Sequence, residues 1–582
     1  MVYRFPDTTS GQACRLGLIY QMLRARAKAD IRHCVLAMCR SLVTKDAMFC
    51  FFGVGGLFNF FLHEVVMLHW ARAVGAIAIM VTCTLVSAQS QPNLIFVLVD
   101  DLRYDALGFV NPDVQTPNLD ALAAGGLYLP NAVVTTSLCS PSRATILTGQ
   151  SARNHRIVDN NDGSEAGLTF FPSYLQEAGY ETSFIGKWHM GRASDAPRPG
   201  FDHWVSFKGQ GVYNPVPGYR LNVNGQPQDQ LGYITDELTD YALEWLDSRK
   251  VEKPFFLYLS HKAVHADFQP AERHKDQYAD VDIELPDPDG DVGASGAGKP
   301  MWVRNQRNSW HGVDFPYHSQ LSIEDYVREY YAALSAVDES TGRIVAWLHD
   351  NDQIENTVVV FFSDNGFLFG DHGLIDKRNA YEPSVRVPMV VYSPGRVPPG
   401  VMNTRITNLD IAPTLLGFAG VEPANQMEGQ SLVPLLTGAT AEAEWHAKPF
   451  VYEYYWEWTF PQTPTTFAIT FDEIKYIQYH GLWDIEELYD LTKDPQERIN
   501  LVHDADYLSA LIDRRSRLFA SLANNAGERS VPFREKRAQG LRFRREDGAE
   551  TADFPESFVR ALNAPDLRSG FIPPIPPASE EK

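Results

Sequence analysis

Two apolar runs far apart in the chain end in the same way. Leu94-Ile95-Phe96-Val97-Leu98-Val99 stops at Asp100-Asp101, and Thr357-Val358-Val359-Val360-Phe361-Phe362 stops at Ser363-Asp364-Asn365-Gly366. Uninterrupted apolar runs of this length, rich in β-branched and aromatic residues, predict strands buried on both faces. Such strands belong to a parallel sheet covered by helices, and from Pro92 onward short apolar runs alternate with helical patterns. An α/β fold is expected, with a mostly parallel sheet sandwiched by helices. Sheets of this kind gather ligands at the carboxyl ends of their strands. A single Asp in that place is commonly a helix cap. Capping does not account for two buried strands that each deliver a pair of oxygen-bearing side chains, since adjacent carboxylates repel unless a cation or a proton lies between them. Asp100, Asp101, Asp364 and Asn365 form an all-oxygen set suited to a hard divalent cation, calcium or magnesium.

Two further strands end in basic residues. Phe255-Phe256-Leu257-Tyr258-Leu259 runs into Ser260-His261-Lys262-Ala263-Val264-His265, and Thr182-Ser183-Phe184-Ile185 runs into Gly186-Lys187-Trp188-His189-Met190-Gly191. A lone His after a strand is usually structural, but two clusters that each pair Lys with His point to an anion site. Cys139 is the only cysteine after residue 83, so it is either a small buried hydrophobe or a reactive group. Pro141 is favoured in the first turn of a helix, which predicts a helix from about Ser142 with its free amides aimed at Cys139 and Arg143 in its first turn.

The run Cys139-Ser140-Pro141-Ser142-Arg143-Ala144-Thr145-Ile146-Leu147-Thr148-Gly149 resembles the signature of the type I, formylglycine-dependent sulfatases. The segments at Gly186-Lys187-Trp188-His189, at His261 to His265 and at Gly370-Asp371-His372-Gly373-Leu374-Ile375-Asp376-Lys377-Arg378 are similar to the same family. One departure is Asp267, where many relatives have Pro. Motifs of this kind continue to Leu501, and the pattern is nearest the polysaccharide-active members that include N-acetylglucosamine-6-sulfatases. The resemblance implies an alkaline-phosphatase-like fold with a smaller C-terminal α+β subdomain. It also implies that an oxidase converts Cys139 to formylglycine (3-oxoalanine) and that Asp100, Asp101, Asp364, Asn365 and Cys139 hold the metal, calcium more commonly than magnesium. On the family mechanism a hydroxyl of the hydrated aldehyde attacks sulfur. Arg143 stabilises the modified side chain, Lys187 and Lys377 neutralise the sulfate oxygens, His265 protonates the departing sugar oxygen, and His189 takes the proton that lets sulfate leave. Each proton-transfer group is expected to contribute about 10²–10⁴ in rate.

Other stretches carry weaker expectations. His261 and Lys262 are candidate substrate contacts. So are Trp302, Arg304, Arg307, Trp310 and His311 in the Asp/Gly/Pro-rich stretch before Ser322, although a solvated loop is an equal account of that stretch. Ser322-Ile323-Glu324-Asp325 predicts a capped helix with Val327, Tyr331, Leu334 and Val337 on one face. For Arg386 a buried structural ion pair is the favoured account, and for His372 a loop-shaping role. The aromatic run Tyr452, Tyr454, Tyr455, Trp456 and Trp458 suits either a sugar site or a packed strand.

The catalytic domain is expected over 89–443, a C-terminal subdomain over 444–535 and an extended tail over 536–582. Residues 67–88 have the layout of a secretory signal, with Arg72 before an apolar run and a small-residue cleavage site at Ala88. Residues 1–66 read as an upstream extension from a start assigned too early, or as a membrane-anchoring leader. Without residues 1–88 the chain has 42 Lys/Arg against 69 Asp/Glu, a formal charge of −27, which repels nucleic acid and long polyanions. The single cysteine and the lack of Asn-x-Ser/Thr sites over that length suit a bacterial periplasmic, cell-surface or secreted protein. The expected partner is a sulfated oligosaccharide or polysaccharide, presented as an exposed sulfate to a local cationic well. Two other readings stay open: a phosphonate or phosphodiester hydrolase of the same superfamily, and a surface polysaccharide-binding protein whose Cys139 remains a thiol.

Overall fold

The structure, a computed structural model, describes residues 91–525 except 162–164, 166, 192–193, 250–252, 287–297, 306–321, 458 and 481–483. The proposed leader at 1–88 and the tail therefore lie outside the described residues. All that is described falls within one compact unit. Among the described residues no helix is long and apolar enough to cross a membrane.

The main sheet has eleven strands. They are β1 (Asn93–Val99), β2 (Leu127–Val133), β3 (Glu181–Gly186), β4 (His203–Ser206), β5 (Arg220–Val223), β6 (Gln226–Asp229), β7 (Phe255–Ser260), β8 (Thr357–Ser363), β11 (Arg386–Tyr392), β12 (Gly400–Val401) and β13 (Ile406–Thr407). The spatial order is β12-β2-β11-β8-β1-β7-β3-β4-β5-β6, with β13 also on β2. A short hairpin, β9 (Leu368–Phe369) with β10 (Ile375–Asp376), follows β8. The four strands β8, β1, β7 and β3 run parallel, so their carboxyl ends share one edge. These are the four strands whose ends carried the candidate site residues in the sequence. β11 lies antiparallel between β8 and β2, which no apolar pattern announced.

The alternation of side chains along β1 builds two cores. Ile95, Val97 and Val99 face one, with α1 (Pro117–Gly125), α3 (Ile234–Ser248) and α5 (Ile323–Asp350) packed on it. Leu94, Phe96 and Leu98 face the other, covered by α2 (Cys139–Thr148) and α6 (Ile411–Phe418). The sheet is thus sandwiched by helices. Ser322 caps α5 as expected, accepting from Asp325 N at 3.0 Å. Val327, Leu334 and Val337 of that helix are buried in the first core, and Tyr331 is half-buried beside it.

A second, four-stranded antiparallel sheet is formed by β14 (Phe450–Tyr454), β15 (Thr465–Phe471), β16 (Ile474–His480) and β17 (Glu487–Asp490), with α7 (Leu508–Asn525) across it. The short helix α4 (Met301–Asn305) packs on this sheet too, by way of Trp302. Tyr452, Tyr454 and Tyr455 are buried, which places them in packing and not in a sugar site. Trp456 is exposed, and Trp458 lies outside the described residues.

Candidate active site

The carboxyl ends of β1 and β8 lie side by side because Val99 pairs with Ser363. That register puts Asp100, Asp101 and Asp364 together, with ligand-competent oxygens all within 4.8 Å of one another. All three carboxylates are buried. Asp101 N donates to Asp364 Oδ1 at 3.1 Å, and Asn365 Nδ2 donates to Asp101 Oδ1 at 2.6 Å. Asn365 Oδ1 is buried with no hydrogen-bond partner among the described residues. An orphaned amide oxygen beside three carboxylates is a donor set of hard oxygens, and it fits a divalent cation of the calcium or magnesium type.

Cys139 opens α2, three residues earlier than the sequence suggested, because Leu138 takes the extended N-cap conformation. Its thiol is fully buried. Sγ lies 3.4 Å from Asp100 Oδ1 and 3.2 Å from Lys377 Nζ. Burial, with Asp100 beside it, pushes the thiol up to about 12, so the side chain is protonated at neutral pH.

Three cations face the three carboxylates. Arg143, one turn into α2, donates to Asp364 Oδ2 at 2.8 Å and approaches Asp100 Oδ2 at 3.5 Å. Its Nη1 also bonds Lys187 O and Ser260 Oγ, so it ties together the ends of β3 and β7. Lys187 is ion-paired with Asp100 and Lys377 with Asp101. Lys187 reaches its place through Gly186 (φ 122°), where an added Cβ would fall 1.8 Å from Ser260 O. Only glycine permits that approach. The formal charges of the six groups cancel, and a divalent ion would leave the pocket at about +2, suited to a sulfate monoester.

The carboxylates are not equivalent. Burial and the neighbouring Asp100 push Asp364 up to about 7, and burial likewise raises Asp101. Asp100 is held well below the carboxylate range because Lys187 and Arg143 outweigh its burial.

Two histidines complete the pocket. His265 Nε2 lies 3.9 Å from Asp101 Oδ2, and its Nδ1 donates to Ala266 O at 2.6 Å. Tyr213 OH donates to the His265 carbonyl at 2.7 Å. His189 is buried at positive φ (48°), and neither ring nitrogen has a partner among the described residues. Burial and the Lys187 charge hold both rings well below the usual histidine range. The neighbourhood thus holds Asp100, Asp101, Cys139, Arg143, Lys187, His189, His265, Asp364, Asn365 and Lys377.

The proposed substrate contacts divide. Lys262 stays near the pocket, with Nζ 4.2 Å over the Tyr213 ring, and burial together with Lys187 pushes its ammonium down to about 8. His261 is turned the other way, because its ring reaches the α5 layer and bonds Ser340 Oγ at 3.2 Å; it is a packing residue. Trp302 is likewise corrected. It is buried edge-on against Tyr479 at 5.3 Å, its large apolar face taken up by the second sheet. Arg304 is exposed on the same short helix, while Arg307, Trp310 and His311 lie outside the described residues. Arg386 makes the expected ion pair, 3.9 Å from Glu382, and stacks 3.5 Å over Tyr104. His372 takes positive φ (55°) and packs on Tyr381 at 4.1 Å, shaping its loop.

Sequence reasoning missed the groups that hold these side chains in place. Asn160 Oδ1 accepts from Ser140 N at 2.9 Å and fixes the start of α2. Glu165 accepts from Trp188 Nε1 at 2.8 Å. Neither lies in a motif, and no periodic signal marks either.

Residues 92–421 match the family model described as Sulfatase, and residues 370–523 match one described as N-sulphoglucosamine sulphohydrolase, C-terminal. Among curated proteins, an N-acetylglucosamine-6-O-sulfatase of Bacteroides thetaiotaomicron is 30% identical over 471 residues, covering 72% of this chain and 84% of that one. The N-acetylglucosamine-6-sulfatase of Homo sapiens is 28% identical, covering 72% and 82%. A solved structure in complex with its substrate D-glucosamine-2-N,6-O-disulfate superposes with a TM-score of 0.67 at 28% identity, covering 75% of this chain and 98% of that chain.

Proposed function

The chain belongs to the sulfatase family of sulfuric ester hydrolases, and on that premise we propose that it removes the 6-O-sulfate of a glucosamine-type sugar in an oligosaccharide. The nucleophile would be formylglycine made from Cys139 by a dedicated oxidase during maturation. The named relatives that act on N-acetylglucosamine 6-sulfate, and the similar structure bound to a glucosamine disulfate, support the sugar class. The observation that carries the chemistry is Cys139 itself. It is buried at the first residue of a helix, within bonding distance of both Asp100 and Lys377.

When present, the hydrated aldehyde supplies an attacking oxygen, and a divalent ion on Asp100, Asp101, Asp364 and Asn365 supplies Lewis-acid polarisation of the sulfate. The chain's own residues do the rest. Lys187 and Lys377 bring positive charge to the sulfate oxygens, and the free amides at the start of α2 add partial positive charge. Arg143 holds the carboxylate edge rigid through Asp364. His265 keeps its Nδ1 proton on the Ala266 carbonyl, which leaves Nε2 facing the pocket; the negative charge of a bound sulfate would favour a second proton at Nε2, and that proton passes to the departing sugar oxygen. His189, whose ring nitrogens have no partner among the described residues, would take the proton of the nucleophile. Export to a bacterial periplasm or cell surface is part of the same proposal and is supported by the signal-like layout of residues 67–88.

The test joins two measurements on protein from a host that makes the oxidase. Peptide mass spectrometry should show residue 139 as an aldehyde or its hydrate, and ion chromatography should detect sulfate released from N-acetylglucosamine 6-sulfate and its oligosaccharides. A free thiol in fully active protein would overturn the nucleophile. Turnover of an aryl phosphonate ester, with no sulfate released from any sulfated sugar, would overturn the reaction.

A further inference from the structure

Lys377 lies between two non-glycine residues in the left-handed region, Asp376 at φ 91° and Arg378 at φ 76°. Such residues persist only where their surroundings over-determine them. Arg378 pairs with Asp376 and donates from its backbone N to Ser137 O at 3.2 Å, and further contacts of Arg378 and the residues after it come from the second sheet and its loops. Arg378 Nε donates to Glu457 Oε1 at 2.9 Å, and its guanidinium stacks 3.6 Å over Phe460. Ala380 O accepts from Lys475 Nζ at 2.8 Å. Tyr381 OH donates to Glu487 Oε2 at 2.7 Å, and Glu382 N donates to Glu497 Oε2 at 2.6 Å. The segment just after Lys377 is therefore gripped by the smaller sheet, while the Lys377 side chain reaches the other way to Asp101 and Cys139.

Glu457 is the member of this grip nearest the lysine in sequence and bonding. It follows β14, is buried, and also accepts from Tyr454 OH at 3.0 Å. Its partner Arg378 is the next residue after Lys377 and is itself buried. We propose that Glu457 is a positioning residue for the reaction: through Arg378 it fixes the turn that holds Lys377 Nζ against the nucleophile. The inference rests on Lys377 acting in sulfate hydrolysis, and it gives the C-terminal sheet a catalytic task besides packing. A displacement of about 1 Å at such a group is enough to lower turnover on the order of 100-fold.

The test is a double-mutant cycle on the mature enzyme with 4-nitrophenyl sulfate, using Lys377→Ala, Glu457→Ala and the pair. Glu457→Ala should lower kcat about 10- to 100-fold. If Glu457 acts through Lys377, the double variant should be no slower than Lys377→Ala alone. Glu457→Gln keeps an acceptor for Arg378 and should recover most of the lost kcat. Multiplicative losses in the double variant, with Lys377→Ala impaired by itself, would overturn the positioning role and leave sulfatase chemistry standing. An unimpaired Lys377→Ala would overturn both the lysine's role and this one. If Glu457→Ala does not yield folded protein, Arg378→Gln breaks the same contact from the other side and enters the same cycle, with the same two outcomes.

Discussion

Arg143 Nε donates to Asp364 Oδ2 at 2.8 Å, with both side chains buried. The helix that opens with Cys139 and the strand that ends at Asp364 are thus bonded side chain to side chain, across more than two hundred residues of sequence. A change at either partner reaches both halves of the site.

The first prediction concerns that shared carboxylate. Asp364→Asn keeps the shape and an acceptor for Arg143 but removes a charge from the oxygen cluster. Tight divalent binding should be lost, and turnover should fall about 100- to 1000-fold, as when a major electrostatic element of a site is removed. Metal content after dialysis, measured by plasma mass spectrometry beside turnover in added calcium, checks this. Wild-type metal stoichiometry in the variant would take Asp364 out of the ligand set.

The two histidines should separate by leaving group. A sugar alkoxide leaves poorly without a proton, whereas nitrophenolate leaves readily. His265→Ala should therefore lose about 10²–10⁴ in kcat on a sugar sulfate and far less on 4-nitrophenyl sulfate. His189→Ala should lose similarly on both, since its proton comes from the nucleophile. Equal losses for His265→Ala on the two substrates would remove it from the acid role.

A third prediction is about stability. His155 is buried behind α2, with Nδ1 accepting from Ile157 N at 3.1 Å and Nε2 bonded to Thr145 Oγ1 at 3.1 Å. Burial pushes its ring down to about 3 from 6.5. The unfolded chain binds this proton more readily than the folded one between those values. Stability therefore rises with pH across that window and is lost on acidification from about pH 6.5. Between pH 7 and pH 5 the loss from this residue should be about 1–2 kcal/mol. Urea unfolding of His155→Leu at the two pH values should show a lower stability overall but a smaller difference between them. A difference unchanged from wild type would place the acid sensitivity elsewhere.

The main strands were legible because they are buried on both faces, which leaves an unbroken apolar run with chemistry at its end. β1, β8 and β7 appeared that way, β3 showed only the short Phe184-Ile185 after Thr182-Ser183, and the pocket residues follow all four. β11 escaped because Pro388 interrupts its run, and because strand order depends on contacts between distant segments. His261 and Trp302 were misplaced for a related reason: residue type says what a side chain can do, and tertiary packing decides which way it turns. Glu457 was invisible in sequence, since a lone Glu after an aromatic strand carries no signal until Arg378 is seen against it.

β1 sits at the centre of the sheet, yet both its neighbours are made long after it. Leu94 pairs with Phe256 and with Val358. At roughly 5–20 residues per second, the last of these strands follows β1 by about 13–50 s of synthesis. Until β7 follows, this seven-residue apolar strand has two unpaired edges, and one stays open until β8 is made, the state most prone to join another chain. The carboxylate pair cannot form piecemeal either, because Asp100 waits for the strand that carries Asp364. Fragments truncated before Ser363 should therefore be insoluble as well as inactive, and chaperone supply in the producing cell becomes a determinant of yield independent of the chemistry at Cys139.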